Sequence, residues 1–345
     1  MIEVGVLGAT GVVGQRFVSG LACHPWFKAT WLAASERSEG KVYRTVAPWR
    51  LATPIPASLG DTIVDACVPG RGPKVVFSGL DASVAGDIEA AFASAGHIVV
   101  SNARNYRMEP DVPLLVPEVN AEHLALVARQ AAARGWKGAI VTNPNCSTVF
   151  LAMALAPLRA FGLQSVTVTT MQAVSGAGYP GVASLDIVGN VVPFISGEEE
   201  KLESETKRIL GVLTNGAVTP HPVVISAQTT RVPVLDGHTE SVSATLEQKV
   251  DVGAVREALA TFAGSPQRLG LPSAPDHPIV CLGEANRPQP RLDVERDGGM
   301  VVFVGRLRPC PVATVKFIAL GHNTVRGAAG AAILNAELMK AEGFL

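Results

Sequence analysis

The segment EVGVLGATGVVGQRF at the amino end constrains the fold more than any other stretch. It places Gly8, Gly11 and Gly14 between a β-branched run and a helix-like run. Glycine tolerates the tight turn and lets backbone N–H groups come close to a pyrophosphate at the positive end of a helix. The spacing is GxxGxxG rather than the commoner GxGxxG, so the strand before it and the helix after it carry the reading. A ligand-free glycine-rich turn is the bland alternative. The turn predicts dinucleotide binding through Gly8, Thr10, Gly11, Val12, Val13 and Gly14.

Strands are expected at Glu3–Leu7, Thr30–Ala33, Val75–Ser78, Ile98–Ser101 and Ile140–Thr142, alternating with helical text such as AEHLALVARQAAARG. That alternation predicts an α/β fold with a Rossmann-like doubly wound parallel sheet. After Cys146 the pattern changes. VFLAMALAPL is apolar nearly all round, as in a helix buried between layers. Longer alternating runs follow at Ser165–Thr170, Glu240–Leu246, Met300–Val304 and Thr314–Ala319, with helices at Glu198–Leu210 and Ala254–Ala263. These predict a second, α+β domain with an antiparallel or mixed sheet. The expected division is residues 1–147, completed by a terminal helix at 323–345, and residues 148–322.

A chain of 345 residues suits two domains. A net charge of −1 gives no electrostatic reason to expect nucleic acid or an anionic membrane as partner. No apolar run is long enough to span a bilayer, and the amino end lacks the basic start and apolar stretch of a signal peptide. The five cysteines are widely spaced and form no CxxC pair, which argues against a disulfide framework or a metal site. A reduced, cytoplasmic protein is expected.

About 20 residues beyond the glycine turn, where an acid commonly meets the cofactor ribose, the chain reads AASERSEGK. Glu36 suits a 2′-hydroxyl, whereas Ser35, Arg37 and Ser38 suit a 2′-phosphate, with the Arg fork matched to phosphate. NADP is the favoured cofactor. In TNPNCSTVF, Cys146 stands where a loop becomes a helix. Unpaired N–H groups and the macrodipole there stabilise a thiolate, so a lowered pKa and a nucleophile are expected. Beside a nicotinamide, such a cysteine points to hydride transfer through a thiohemiacetal and a thioester.

Eight segments in chain order, GATGVVGQRF, AASERSEGKVY, SNARNYRM, PLLVPEVN, NPNCST, MQAVSGAGYPGV, GEEEKLESETKRILG and RVPVLDGHTE, together resemble aspartate-semialdehyde dehydrogenase of the archaeal and fungal-like branch. The resemblance implies that Cys146 accepts the acyl group, that Gln172 orients the substrate and that His238 is the general acid/base. It implies that Arg231 clamps the substrate carboxylate and that Glu200 faces the substrate ammonium group, with the choice among Glu198, Glu199 and Glu200 left open by the acidic triplet. Lys201, Asn102 and Arg104 would then hold phosphate; many relatives carry lysine where Arg104 stands. Ser175, Gly176 and Asn323 would complete the cofactor site, with His322 near the nicotinamide or in a structural role.

The implied reaction is reversible reductive dephosphorylation of L-4-aspartyl phosphate to L-aspartate 4-semialdehyde, on the branch to lysine, threonine, methionine and isoleucine. A homodimer or homotetramer is implied as well. A malonyl-CoA reductase or an N-acetylglutamyl-phosphate reductase is the rival on the same scaffold, because neither needs an ammonium partner. A non-catalytic NADP sensor is the rival of another kind.

Overall fold

The computed structural model describes residues 1–345. Its first sheet contains β1 (Ile2–Leu7), β2 (Phe27–Ala34), β3 (Asp65–Ala66), β4 (Val75–Ser78), β5 (Ile98–Ser101) and β6 (Ala139–Thr142). All pairs are parallel and the spatial order is β3-β2-β1-β4-β5-β6. Val4–Leu7 and the whole of β4, β5 and β6 are buried, as a sheet covered on both faces requires. The connections leave β1 in opposite directions, so a crevice opens at the carboxyl ends of β1 and β4, where ligands of open α/β sheets bind. In register, Leu7, Ser78, Ser101 and Thr142 end their strands in one row. The next residues, Gly8, Gly79, Asn102 and Asn143, therefore rim the same edge.

The second sheet is mixed. It comprises β7 (Leu163–Gln172), β10 (Val224–Arg231), β11 (His238–Leu246), β12 (Ile279–Cys281), β13 (Val302–Pro309) and β14 (Val315–Gly321), while β8 (Val212–Thr214) and β9 (Ala217–Thr219) form a separate hairpin. The order of the six-stranded sheet is β10-β7-β11-β14-β13-β12. The helix Cys146–Leu155 leaves the end of β6 and runs under this sheet. Val149 to Leu155 are buried in one cluster with Val166, Val168, Val242, Val304 and Phe317. An apolar helix without a polar face fits only such a place.

The last helix, Gly330–Ala341, packs on the first sheet. Ile333, Leu334, Leu338 and Met339 share a buried cluster with Val4, Val6, Phe17, Phe27 and Phe77, and Leu271 and Met300 join it. Glu337 of that helix lies 2.6 Å from His24 Nε2 and accepts from Ser273 N–H. No helix is long and apolar enough to cross a membrane.

The expected strands occur with shifted ends. β2 begins at Phe27, and β13 runs past the expected Val304 to Pro309. The second extension crosses a register shift between Gly305 and Arg308, with Arg306 at φ 57°. A bulge breaks the alternation that marks a strand in sequence. The AEHLALVARQAAARG segment divides into a 3₁₀ stretch, Ala121–Leu126, and a helix, Val127–Arg134.

Candidate active site

The glycine turn follows β1. Gly8 has φ 72°, and a Cβ there would lie 2.8 Å from Gly79 O. A Cβ on Gly14 would come within 2.1 Å of Gly8 O, so the helix Val12–Leu21 can sit this close to its strand only with glycine there. A Cβ on Gly11 would meet only Gly8 O, at 3.4 Å, which leaves this part of the turn open to a ligand. A groove of about 530 Å³ lies here, lined by Gly8, Thr10, Gly11, Val12, Val13 and Ser35 from the expected set. Ala177, Gly178 and Tyr179 of the loop after β7 wall its far side. Glu36 and Arg37 are exposed and do not line it; Ser38 is buried in the turn that its N–H closes onto Ser35 O. The structure therefore brings one of the three proposed 2′-phosphate residues, Ser35, to the groove.

A second cavity, of about 600 Å³, adjoins the first. Cys146, Asn102, Arg104, Glu198, Lys201, Ser175, Gly176 and Asn323 all line it, together with Val12 and Val13 of the glycine helix. Cys146 is the first residue of its helix. The Asn145 side chain caps that helix by accepting from Ser147 N–H at 3.0 Å and Thr148 N–H at 3.4 Å. A Cβ on Gly327 would lie 2.7 Å from Cys146 Cβ, so the irregular turn Val325–Ala329 presses its glycine against the cysteine.

The cysteine's electrostatics correct the expectation of a lowered pKa. Burial, with the Glu198 carboxylate next, pushes the thiol up to about 12. Arg107, the Ser147 N–H and Arg231 act the other way and are outweighed. The side chain is only partly shielded, since it keeps a face on the cavity. Without a ligand beside it the side chain is a thiol, because burial and the Glu198 carboxylate outweigh the helix terminus.

Glu200 is also corrected. It is exposed, whereas Glu198 is buried and lines the cavity. The helix Glu198–Ile209 starts at 198, so Glu198, Lys201, Leu202 and Glu205 share its inner face and Glu200 turns outward. Glu198 accepts from Asn145 Nδ2 at 2.7 Å, Gln172 Nε2 at 3.4 Å and Lys201 Nζ at 2.6 Å. Glu205 accepts from Asn145 N–H at 2.6 Å and from Arg107 at 3.1 Å. Arg107 also donates to Asn102 O at 2.8 Å. Asn143 ties Asn102 to Ala328 O through bonds of 2.8 Å each.

Gln172 ends β7, Arg231 ends β10 and His238 opens β11, so three neighbouring strands deliver them to one edge. Arg231 Nη1 donates to Ala173 O at 2.8 Å. The Ala173 N–H donates to His238 Nδ1 at 3.0 Å, which leaves the neutral ring's proton on Nε2. Nε2 is buried without a partner, and a Cβ on Gly176 would sit 2.9 Å from it and from Arg231 Nη1. Burial, then Arg231 and His322, lower the His238 pKa to about 3.

Asn323 donates to Ser175 Oγ at 2.8 Å and accepts from Gly237 N–H at 2.9 Å, which places it on the cavity. His322 is buried behind it, 3.3 Å from Glu295, and does not line the cavity. Arg104 is exposed on the rim without an ion pair.

Sequence reasoning left Glu198 as one of three alternatives and missed Glu205, Arg107 and Asn145. The helical period from Lys201 gives the first two, since positions 198, 201 and 205 recur on one face. No local signal gives Arg107.

Two family models cover most of the chain. The semialdehyde dehydrogenase NAD binding domain matches residues 3–127, and the semialdehyde dehydrogenase dimerisation domain matches residues 155–326. The aspartate-semialdehyde dehydrogenase of Methanothermobacter thermautotrophicus is 54% identical over 98% of this chain and 99% of its own length. That of Saccharomyces cerevisiae is 46% identical over 99% and 98%. A crystal structure of aspartate semialdehyde dehydrogenase with NADP from Candida albicans is 46% identical and covers 100% of both chains at a TM-score of 0.93. With the cysteine pocket, the glycine turn and these full-length matches in agreement, the chain belongs to the aspartate-semialdehyde dehydrogenase family.

Proposed function

We propose that this chain interconverts L-4-aspartyl phosphate and L-aspartate 4-semialdehyde with NADP, at the step that leads to lysine, threonine, methionine and isoleucine in the cytoplasm. The observation that carries the reading is the placing of Cys146 in one cavity with both sets of partners. An acid and cations for an amino-acid acyl phosphate stand on one side, and Ser175, Gly176 and Asn323 stand on the side toward the glycine groove. The residues fit the cofactor. The groove lies at the switch point, and Gly11 and Val12 open onto it at a helix N-terminus. When bound, the nicotinamide supplies or takes the hydride.

Cys146 Sγ attacks the acyl carbon, the carbon–oxygen bond to phosphate breaks, the thiol proton leaves on the departing phosphate, and a thioester joins the aspartyl group to Sγ. Arg104 and Lys201 receive the phosphate, and Asn102 orients it. Glu198 meets the substrate ammonium group, and Arg231 takes its carboxylate with a planar fork. Gln172 holds Glu198 and the reacting carbonyl in line.

His238 presents Nε2–H toward the oxygen that becomes negative, as a neutral donor. To act as a base at Nε2 it must give up the Ala173 hydrogen bond, so the donor role is the one for which the ring is prepared. The malonyl-CoA and acetylated-substrate rivals bring no cation to Glu198, which would then face only Lys201. A dimer or tetramer formed through the second sheet completes the reading.

The test is NADPH formation from aspartate semialdehyde and NADP, with and without inorganic phosphate, in wild type and Cys146→Ala. Phosphate-dependent turnover that the substitution abolishes is expected. Wild type that turns over malonyl-CoA or the acetylated substrate instead would overturn the substrate assignment.

A further inference from the structure

The groove beside the glycine turn must hold a polyanion if the proposed cofactor is right, and this inference rests on that reading. Only one basic side chain lines it, and that is Arg50, which sequence reasoning did not select. The loop that carries Arg50 is fixed to the glycine turn by Gln15. This buried side chain accepts from Arg50 N–H at 2.9 Å and donates to Thr10 O at 2.9 Å and Pro48 O at 3.2 Å. The guanidinium itself is uncommitted: it takes part in no salt bridge and no hydrogen bond, although it is exposed beside the groove.

Arg50 is not loose, however. Its guanidinium carbon lies 3.4 Å from the centre of the Tyr179 ring, which reaches across from the far wall. A guanidinium stacked face-on to an aromatic ring keeps its N–H donors in its own plane, pointing past the ring edge. The stack thus holds the charge in place and leaves the donors available. The one acid in the groove, Asp81, accepts from Ser83 N–H at 2.9 Å and Ser83 Oγ at 2.6 Å and makes no ion pair with Arg50.

We infer that Arg50, held against Tyr179, is a cofactor-phosphate ligand, doing the work that the AASERSEGK segment suggests for Arg37. The 2′-phosphate and the pyrophosphate present the same chemistry to a guanidinium, and the two dinucleotides separate them. The Arg50–Tyr179 stack also joins the two walls of the groove, so the loop after β7 is coupled to cofactor binding.

The experiment measures dissociation constants of NADPH and NADH by fluorescence titration for wild type, Arg50→Ala, Arg50→Lys, Tyr179→Leu and Arg37→Ala, with Tm recorded for each. Arg50→Ala is expected to weaken NADPH by roughly tenfold to hundredfold, the range for a hydrogen bond to a charged group. Arg50→Lys should recover part of the loss, and Tyr179→Leu should show a smaller loss. A 2′-phosphate contact leaves NADH affinity unchanged in Arg50→Ala, whereas a pyrophosphate contact weakens both dinucleotides. Wild-type NADPH affinity in Arg50→Ala overturns the inference, as does a full loss in Arg37→Ala alone. Wild type that binds neither dinucleotide overturns the cofactor reading itself, which is a separate failure.

Discussion

The glycine turn and the cysteine pocket are built on different principles. The turn is made of backbone from a single stretch, Gly8 to Gly14, and its shape follows from what glycine permits. The pocket is lined from at least five elements: the rim after β5, the helix at Cys146, the helix at Glu198, the loop after β7 and the turn after β14. Its charges are set by one another, with Glu198 raising the Cys146 thiol while Arg107 and Arg231 pull it down. A backbone site tolerates changes around it and fails when one atom is added. A side-chain network fails in proportion to the partner removed.

Gly14→Ala should give the largest effect of single substitutions in the two regions. The new methyl would meet the Gly8 carbonyl at 2.1 Å and Ala9 Cα at 2.7 Å, both backbone, so the helix must move off its strand. A cost of about 3 kcal/mol or more is expected, with loss of NADPH binding, checked by denaturant unfolding and titration. An unchanged midpoint would mean that the turn is softer than a backbone-defined site.

Glu198→Gln should come next. It removes the charge that Lys201 and Asn145 surround and that the substrate ammonium group is proposed to meet. A loss of about 2 kcal/mol, roughly 30-fold in kcat/KM, is expected, mostly in KM for aspartate semialdehyde. Glu200→Gln should leave both constants within about twofold, as an exposed charge does. Reversal of these two results would restore the sequence-based assignment.

The smallest effect sharpens the contrast from beneath the pocket. Glu240 stands two residues beyond His238 on β11, fully buried, with neither oxygen partnered, and burial holds its pKa well above the ordinary carboxylate range. Between the unfolded and folded pKa values the native state binds the extra proton, so stability falls as pH rises through that window. Glu240→Gln removes this dependence. Thermal unfolding across pH should show the variant gaining on wild type as pH rises from about 4.5, with near-equal Tm below it. A variant whose deficit is the same at every pH would show that the carboxyl is paired in solution.

How much of this was legible follows from the same contrast. The parallel strands, the glycine turn and Cys146 at a helix start were readable, because each is a local pattern of two to fifteen residues. The NG pair at Asn215–Gly216, both with positive φ, carries the β8–β9 hairpin in its own two residues, although the strands expected from the sequence did not include it. Gln172, Arg231 and His238 were named from motif resemblance, and the sheet order explains why three distant segments meet. Which of Glu198, Glu199 and Glu200 faces the cavity stayed open in the sequence, because an acidic triplet does not reveal where a helix begins; the structure turns Glu198 inward and Glu200 outward. The raised thiol pKa was illegible, since it depends on the walls that surround Cys146 and not on the helix that starts there. Arg107 and Arg50 escaped for a similar reason: each acts through a neighbour brought in from far along the chain, Glu205 in one case and Tyr179 in the other.

The central claim is that Cys146, though a thiol at rest, carries the acyl group. The most direct measurement mixes enzyme with aspartate semialdehyde and NADP in the absence of phosphate, follows NADPH in the stopped flow, and reads the intact mass of the quenched protein. The account expects a burst of about one NADPH per subunit and an aspartyl adduct that maps to Cys146, with both lost in Cys146→Ala. Steady turnover without a burst or adduct, or an adduct on another residue, would contradict it.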